Sequence, residues 1–200
     1  MNIIHRGAQP KIHESAYVAP TAVLAGDVTI GAESSIGFGC VILAEGAPIE
    51  IGSQTVVREN VVIRAVTGHP VRIGNNVLIG PGSALNGCTI EDEVFLATRV
   101  TVFHDAIIKR QAEVRINGIV HVATVVPEGA TVPINWVAVG DPAQLFSPER
   151  HDEIWAVLRP LNFPVRAYGV ERGPDGRADM REITRRVVRS AQVHRADTPT

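Results

Sequence analysis

Aromatic residues are scarce in this chain: Phe, Trp and Tyr make up 4% of its 200 residues, against 45% hydrophobic residues overall. A core with so few rings has to be filled by small and β-branched side chains, and Val, Ile, Ala and Gly are abundant. Cysteine is nearly missing as well. The two present, Cys40 and Cys88, lie far apart and outside any CxxC or zinc-ribbon spacing, which excludes a disulfide scaffold and a zinc ribbon. They read as reduced thiols in a core. No charge of one sign dominates: 19 Lys and Arg stand against 21 Asp and Glu, for a net charge of -2. That leaves no basic field to draw in nucleic acid. No apolar run is long enough to cross a bilayer, and Met1 to Arg6 lacks the apolar stretch of a signal peptide, so a cytoplasmic protein is expected. Ser-His-Asp, P-loop and dinucleotide fingerprints are missing too.

What the sequence does have is a repeat. Val18, Leu24, Ile30, Ile36 and Ile42 are spaced by six, and the phase resumes at Ile51, Val57, Ile63 and at Ile73, Ile79, Leu85. It then runs through Ile90, Leu96, Val102, Ile108, Val114, Val120, Val126 and Val132. Small or β-branched residues sit two before many of these, among them Ala22, Val28, Ser34, Cys40, Ser83 and Val94. Glycine often follows the aliphatic, as at Gly31, Gly37, Gly52, Gly74 and Gly80. A period of six fits neither a helix nor a plain alternating strand. It fits a short strand followed by a corner, with three corners closing a triangular coil of about eighteen residues. Each aliphatic then points into a narrow prism, and the glycine suits a corner that crowds a Cβ or needs a positive φ.

The phase slips at three places. Three extra residues lie between Ile42 and Ile51, four between Ile63 and Ile73, and Leu85 to Ile90 is one short. Insertions in a solenoid emerge at corners, and the first two should project from one edge. After Val139-Gly140-Asp141-Pro142 the pattern stops. Residues 1–145 are therefore read as a β-helix domain and 146–200 as a helical extension packed on it. Ser147-Pro148 is expected to open a helix running to about Leu158, with Phe163 to Val170 extended. A second helix should run from Asp179, with Met180, Ile183, Val187 and Val188 as its inward stripe and its arginines outside that stripe.

The order of features is similar to that of the γ-class carbonic anhydrases and their carbonic-anhydrase-like relatives. The residues carrying the likeness are Gly26-Asp27-Val28-Thr29-Ile30-Gly31, Pro48-Ile49-Glu50-Ile51-Gly52 and Ile73-Gly74-Asn75-Asn76-Val77-Leu78-Ile79-Gly80. They continue with Gly87-Cys88-Thr89-Ile90, Val126-Pro127-Glu128-Gly129-Ala130 and Val139-Gly140-Asp141-Pro142-Ala143. The resemblance implies a left-handed parallel β-helix, a homotrimer with parallel axes, and active sites at the subunit interfaces. In the family those sites hold zinc through three histidines, two from one subunit and one from its neighbour. The matching positions here are Arg64, Pro81 and Asn86. Arginine stays cationic and cannot ligate zinc, and proline has no side-chain donor, so neither a metal nor any other cofactor is expected there.

With zinc chemistry set aside, the altered pocket should gather Arg58, Glu59, Asn60, Arg64, Asn86 and Glu45 near the inter-subunit groove, with His69 in an inserted loop beside it. The simpler reading of these residues is an inter-subunit salt-bridge network in which arginine replaces the metal as the charge centre, and carboxylates beside arginines stay ionised and weakly basic, which favours it. The functional reading is an anion-binding pocket, with Arg64 gripping a carboxylate or phosphate and Glu45 or Glu59 as general base. Leu43, Arg64, Asn86, Phe103 and His121 should stack in one column, which puts His104 and His121 on adjacent coils as the other candidate bases. The leading expectation is a trimer that binds a small anionic ligand or a protein partner, as zinc-less family members do within larger complexes. The alternatives are an enzyme acting on a small carboxylated molecule without metal, and a hexapeptide-type acyltransferase.

Overall fold

A computed structural model describes residues 1–200. Its strands are two to five residues long and turn three ways, building two seven-stranded sheets and one ten-stranded sheet along a common axis. Within each sheet the neighbours come from successive coils and pair in parallel, with the closing strands at either end of the ten-stranded sheet as antiparallel exceptions. The result is the parallel β-helix that the six-residue period implies.

The repeat aliphatics are its core. On the ten-stranded sheet Leu24, Ile42, Ile63, Leu85, Val102 and Val120 stand in one register column, all fully buried. Ile30, Ile51, Ile73, Ile90 and Ile108 form the second column. Ile36, Val57, Ile79, Leu96 and Val114 form the third. Together with the small residues between them they make one cluster of 33 buried residues. Ser34, Thr55 and Ser83 are buried in the same prism, and their hydroxyls donate to the carbonyls of Gly52, Gly74 and Gly80 at 2.7, 2.8 and 2.8 Å. A hydroxyl here satisfies a corner carbonyl that an aliphatic would leave bare.

The glycines that follow the aliphatics serve close approach, and the positive φ falls elsewhere in the corner. A Cβ on Gly31 would lie 2.6 Å from the Gly52 carbonyl, and one on Gly52 would lie 2.6 Å from the Gly74 oxygen. Left-handed backbone falls instead on residues such as Gln54, Asn60, Asn76, Asn117 and Asn135, with φ between 54° and 64°. Asparagine tolerates that region, which accounts for its recurrence at the corners.

The outward faces differ. Lys11, Thr29, Glu50 and Arg72 stand in a polar column on one seven-stranded sheet, with an Arg72–Glu50 ion pair at 3.8 Å. Val41, Val62, Leu78 and Tyr17 project exposed from the other two sheets.

Past the coils, a strand at Gln144–Phe146 folds back on Val137–Val139. Helix α1 spans His151–Leu158, starting later than expected because Ser147 to Arg150 form a turn closed by the Arg150 amide on the Ser147 carbonyl at 3.1 Å. Pro148 sits in that turn instead of at the first helical position. Residues expected to be extended form helix α2, Phe163–Tyr168, with Pro164 in its first turn and Gly169 ending it at φ 66°. Both residues suit those helix positions. Helix α3, Met180–Ala191, forms where the second helix is expected, and Asp179 caps it, its carboxylate accepting from the Arg181 and Glu182 amides. Only Ile183 of its stripe is buried; Met180 and Val188 remain 59% and 60% exposed in the single chain. The last residues return to the start, where Thr198–Pro199 pairs antiparallel with Ile3 and Ile4.

Leu85→Ala should cost about 2–5 kcal/mol of stability in urea unfolding, since the prism cannot collapse around the lost side chain. Gly52→Ala should also destabilise, by forcing two coils apart, whereas an equally small change at exposed Lys11 should leave the midpoint unmoved.

Candidate functional site

Two strands of the ten-stranded sheet, Val41–Glu45 and Val62–Val66, are five residues long where most are two or three. The extra length ends in the corner where the two insertions project, and it carries Glu45 out beside Val66, two residues beyond the level of Arg64. Arg64 lies in register between Leu43 and Asn86. Its guanidinium is 47% exposed and pairs with the Glu45 carboxylate, whose side chain is only 9% exposed. The other Glu45 oxygen meets His194 Nε2 at 2.9 Å. His194 Nδ1 in turn meets Asp197 Oδ2 at 2.8 Å, and Asp197 Oδ1 meets His5 Nδ1 at 2.7 Å. The rings of His5 and His194 stack with centroids 4.5 Å apart. One unbroken polar chain therefore runs from Arg64 to His5.

Burial alone would push the Glu45 carboxyl up, but hydrogen bonds and charge from His194 and Arg64 outweigh it and hold the group below the ordinary carboxylate range. A carboxylate kept ionised this way is a weak proton acceptor. Hydrogen bonds to Asp197 and Glu45 raise the His194 imidazole above its ordinary value.

Beside this chain lies a cleft of about 420 Å³. Glu45, Arg64, Asn86 and His104 line its β-helix side, Arg6 its end, and Tyr168, Arg186 and Ser190 its helical side. Three guanidiniums thus face one carboxylate. Arg186 is committed to Glu182 at 2.8 Å and to the Gly169 carbonyl at 2.9 Å, and Arg64 to Glu45, which leaves Arg6 without an ion-pair partner. His104 is kept neutral by burial, helped by His69 and Arg64 nearby, and its Nδ1 is buried without a partner.

His69 and His104 come together edge to face at 5.1 Å, and His69 Nδ1 meets Asp105 Oδ1 at 2.7 Å. Asp105 is held from the other side by Arg166 of α2 at 3.0 Å. His121 is placed apart from this pair. It stacks on Phe103 at 5.0 Å, as the column predicts, with Phe163 against its edge. Burial lowers its pKa, and its Nδ1 accepts the Val122 amide at 2.8 Å.

The remaining candidates sit at a different corner of the same chain. Arg58 pairs with Glu59 at 3.2 Å in solvent. Asn60 takes a left-handed corner position at φ 59°. Amide-to-carbonyl bonds from Asn60 to Phe38, Gly82 to Glu59 and Arg99 to Pro81 stack Phe38, Glu59 and Pro81 along this edge. Within the chain, then, Glu45, Arg64, Asn86, His69 and His104 gather where strands of the ten-stranded sheet end, and Arg58, Glu59, Asn60 and Pro81 at the corner where they begin. His5, His194, Asp197, Arg6 and Arg186 carry no motif and escape a reading by spacing. The only hint is that three histidines or acids fall outside the repeat at the two chain ends.

Residues 9–44 match the model of the bacterial transferase hexapeptide family, described as six repeats. The class is thus that of the hexapeptide-repeat β-helix proteins. Among solved structures, a putative acetyltransferase of Bacillus cereus superposes with a TM-score of 0.54 at 20% identity, covering 94% of this chain and 96% of that one. That likeness is one of fold. In sequence the chain is 32% identical over 160 residues to gamma carbonic anhydrase 1, mitochondrial, of Arabidopsis thaliana, covering 77% of this chain and 55% of that protein. It is 28% identical over 181 residues to a carbonic anhydrase of Geobacillus kaustophilus, covering 84% and 87%. The chain spans just over half the length of the plant relatives it matches first. It belongs to the γ-class carbonic anhydrase-like family of hexapeptide-repeat proteins.

His121 gives a pH test. With its folded pKa depressed by burial, its stabilising contribution is present above the unfolded value of about 6.5 and is lost as pH falls through the folded one. The melting temperature should therefore fall less between pH 8 and pH 5 in His121→Asn, which still offers an acceptor to Val122, than in the unsubstituted chain.

Proposed function

We propose that this protein is a γ-carbonic anhydrase-like homotrimer whose pocket binds a small anion in place of zinc. The observation that carries this reading is the cleft in which Arg6, Arg64 and Arg186 face one carboxylate. Guanidiniums offer forked donors suited to carboxylate or phosphate oxygens, and that of Arg6 has no protein carboxylate to displace. The residues at the family's ligand positions do not fit zinc. Arg64 and Asn86 lie side by side in register, one a permanent cation and the other a neutral amide, and Pro81 supplies no donor atom. No step through a metal is assigned to this pocket.

The trimer is supported by the outward faces. Exposed Phe38, Ile116 and Ile134 share an edge with Pro81 and Glu59, next to exposed Val41, Val62 and Leu78. An apolar edge where the strands of a sheet begin and a polar cleft where they end suit a head-to-tail contact, which closes into a ring. Such a ring would bring Arg58, Glu59 and Pro81 of one copy toward Arg64 and Asn86 of the next. In this reading residues 1–145 are the ring-forming β-helix and 146–200 its helical extension, and the exposed Met180 and Val188 leave room for a protein partner. No helix is long and apolar enough to cross a membrane. The free, buried Cys40 and Cys88, the latter pushed up to about 12 by burial, are consistent with a reducing, cytoplasmic setting.

His104 favours a second reading, an enzyme without metal chemistry acting on a small carboxylated substrate. Its ring lines the cleft and burial favours its neutral form, which is the form a proton acceptor needs.

Calorimetric titration with oxalate, malonate, succinate and inorganic phosphate tests the main reading. At least one should bind saturably, and Arg64→Ala and Arg6→Ala should each weaken it about 10-fold to 100-fold, the worth of a charged hydrogen bond. Arg58→Ala should reduce binding only if the trimer forms, which light scattering reads directly. Absence of saturable binding by all four, or binding indifferent to Arg64 and Arg6, would sink the proposal.

A further inference from the structure

The ligating atoms of His5, His194 and Asp197 all lie within 4.8 Å of one another. They come from opposite ends of the chain, His5 and Asp197 being 192 residues apart. We propose that these three side chains form a site for a zinc-class divalent cation, which fastens the C-terminal tail onto the first coil. The site is separate from the pocket discussed above: it uses none of the positions that resemble the family's ligands, and it does not depend on anion binding.

Two imidazoles and one carboxylate are a donor set for zinc, nickel or cobalt, with water completing the shell; magnesium and calcium prefer oxygen donors. The spacing is close to what a cation needs. Bonds of about 2.0–2.1 Å at tetrahedral angles put ligand atoms roughly 3.3 Å apart. Here Asp197 Oδ1 is 2.7 Å from His5 Nδ1 and Oδ2 is 2.8 Å from His194 Nδ1. A cation therefore enters by replacing those two hydrogen bonds, and the stacked rings, 20° from parallel, tilt to aim their Nδ1 atoms at it.

Two further observations point the same way. The first is the outer support. With Nδ1 turned to the site, His194 presents Nε2 to Glu45 Oε1 at 2.9 Å, and Glu45 is itself fixed by Arg64. A metal-bound histidine usually donates its second N–H to a carboxylate, which orients the ring and strengthens the donor. The second is His5, which is 1% exposed and whose Nε2 has no hydrogen-bond partner. Folding has already dehydrated this ring. In the metal-free chain Nδ1 donates to Asp197, so a cation displaces that proton and leaves the neutral ring protonated at Nε2, which no other contact engages. The tail is positioned for this by its own pairing, Ile3 with Pro199 and Ile4 with Thr198. A cation bound only when tail and coil are joined stabilises the joined state by mass action.

The test uses the full chain, stripped with chelator and titrated with zinc chloride, then desalted for elemental analysis. We expect about one zinc retained per chain, by the stoichiometry of a three-ligand site, and a melting temperature raised by zinc and unchanged by magnesium. His194→Gln and Asp197→Asn, which keep polar groups in place, should bind zinc at least tenfold more weakly and lose the zinc-dependent rise while keeping the circular dichroism of the fold. His13→Gln and His151→Gln, at exposed histidines outside the site, should behave as the unsubstituted chain. Cobalt(II) should give visible absorption bands of a four-coordinate site, lost in the same two variants. No zinc retained by the stripped chain, equal retention in Asp197→Asn, or an equal melting shift with magnesium would each overturn the assignment. Absence of anion binding in the unsubstituted chain bears on the pocket alone and leaves this outcome independent.

Discussion

Each coil of the prism contributes one aliphatic per side and has nothing to bury it against except the coil above and the coil below. That axial stacking is the constraint from which the rest follows. It keeps the interior to Ile, Leu and Val, with Ala, Ser, Thr and Cys between, because a ring would not fit a core that is one side chain wide. It also brings the backbones of successive corners so close that glycine is required at Gly31 and Gly52. And it makes the two ends of the stack the weak points, since a terminal coil has a neighbour on one side only. The ten-stranded sheet answers this at both ends with antiparallel strands from the C-terminal part, Gln144–Phe146 at one edge and Thr198–Pro199 at the other. These cover edges that would otherwise offer free backbone groups to another chain.

How far this could be read beforehand depends on how local the rule is. The inward columns are a strict consequence of a six-residue period, so every aliphatic from Leu24 to Val132 in the repeat is found buried. The Arg64–Asn86 and Phe103–His121 neighbours follow from the same register once the three slips are counted. Asn60 is less legible, because the spacing alone does not separate a residue placed for a pocket from one placed for a left-handed corner, which is the position it takes. In the helical part, residues 163–170 show no apolar period and suggest an extended segment, although Pro164 and Gly169 fit the first turn and the end of α2. Six residues are too few to show a helical period. His5, His194 and Asp197 were out of reach for a different reason. Their meeting depends on how the tail returns across the molecule, and a repeat says nothing about what lies beyond it.

The two long strands tie the cleft to the tail. Had Val41–Glu45 ended where most strands do, Glu45 would not extend past the sheet to meet His194, and Arg64 would have no buried counter-charge. Glu45 is therefore shared. One oxygen fixes the guanidinium that faces the cleft, and the other fixes the imidazole that faces Asp197. Because its carboxyl is held ionised by these two partners against the cost of burial, it serves both as an anchor and suits neither as a base.

That sharing links the two regions. Under the proposed function an anion drawn to Arg64 competes with Glu45 for the same guanidinium. Glu45 is also the carboxylate that holds His194 toward Asp197, so a change at either end of this polar chain reaches the other through one side chain. The tail is thus more than an end cap. By the residues it contributes to the cleft wall, Arg186 and Ser190, and by the histidine it lends to Glu45, it belongs to the site that the β-helix alone leaves half built.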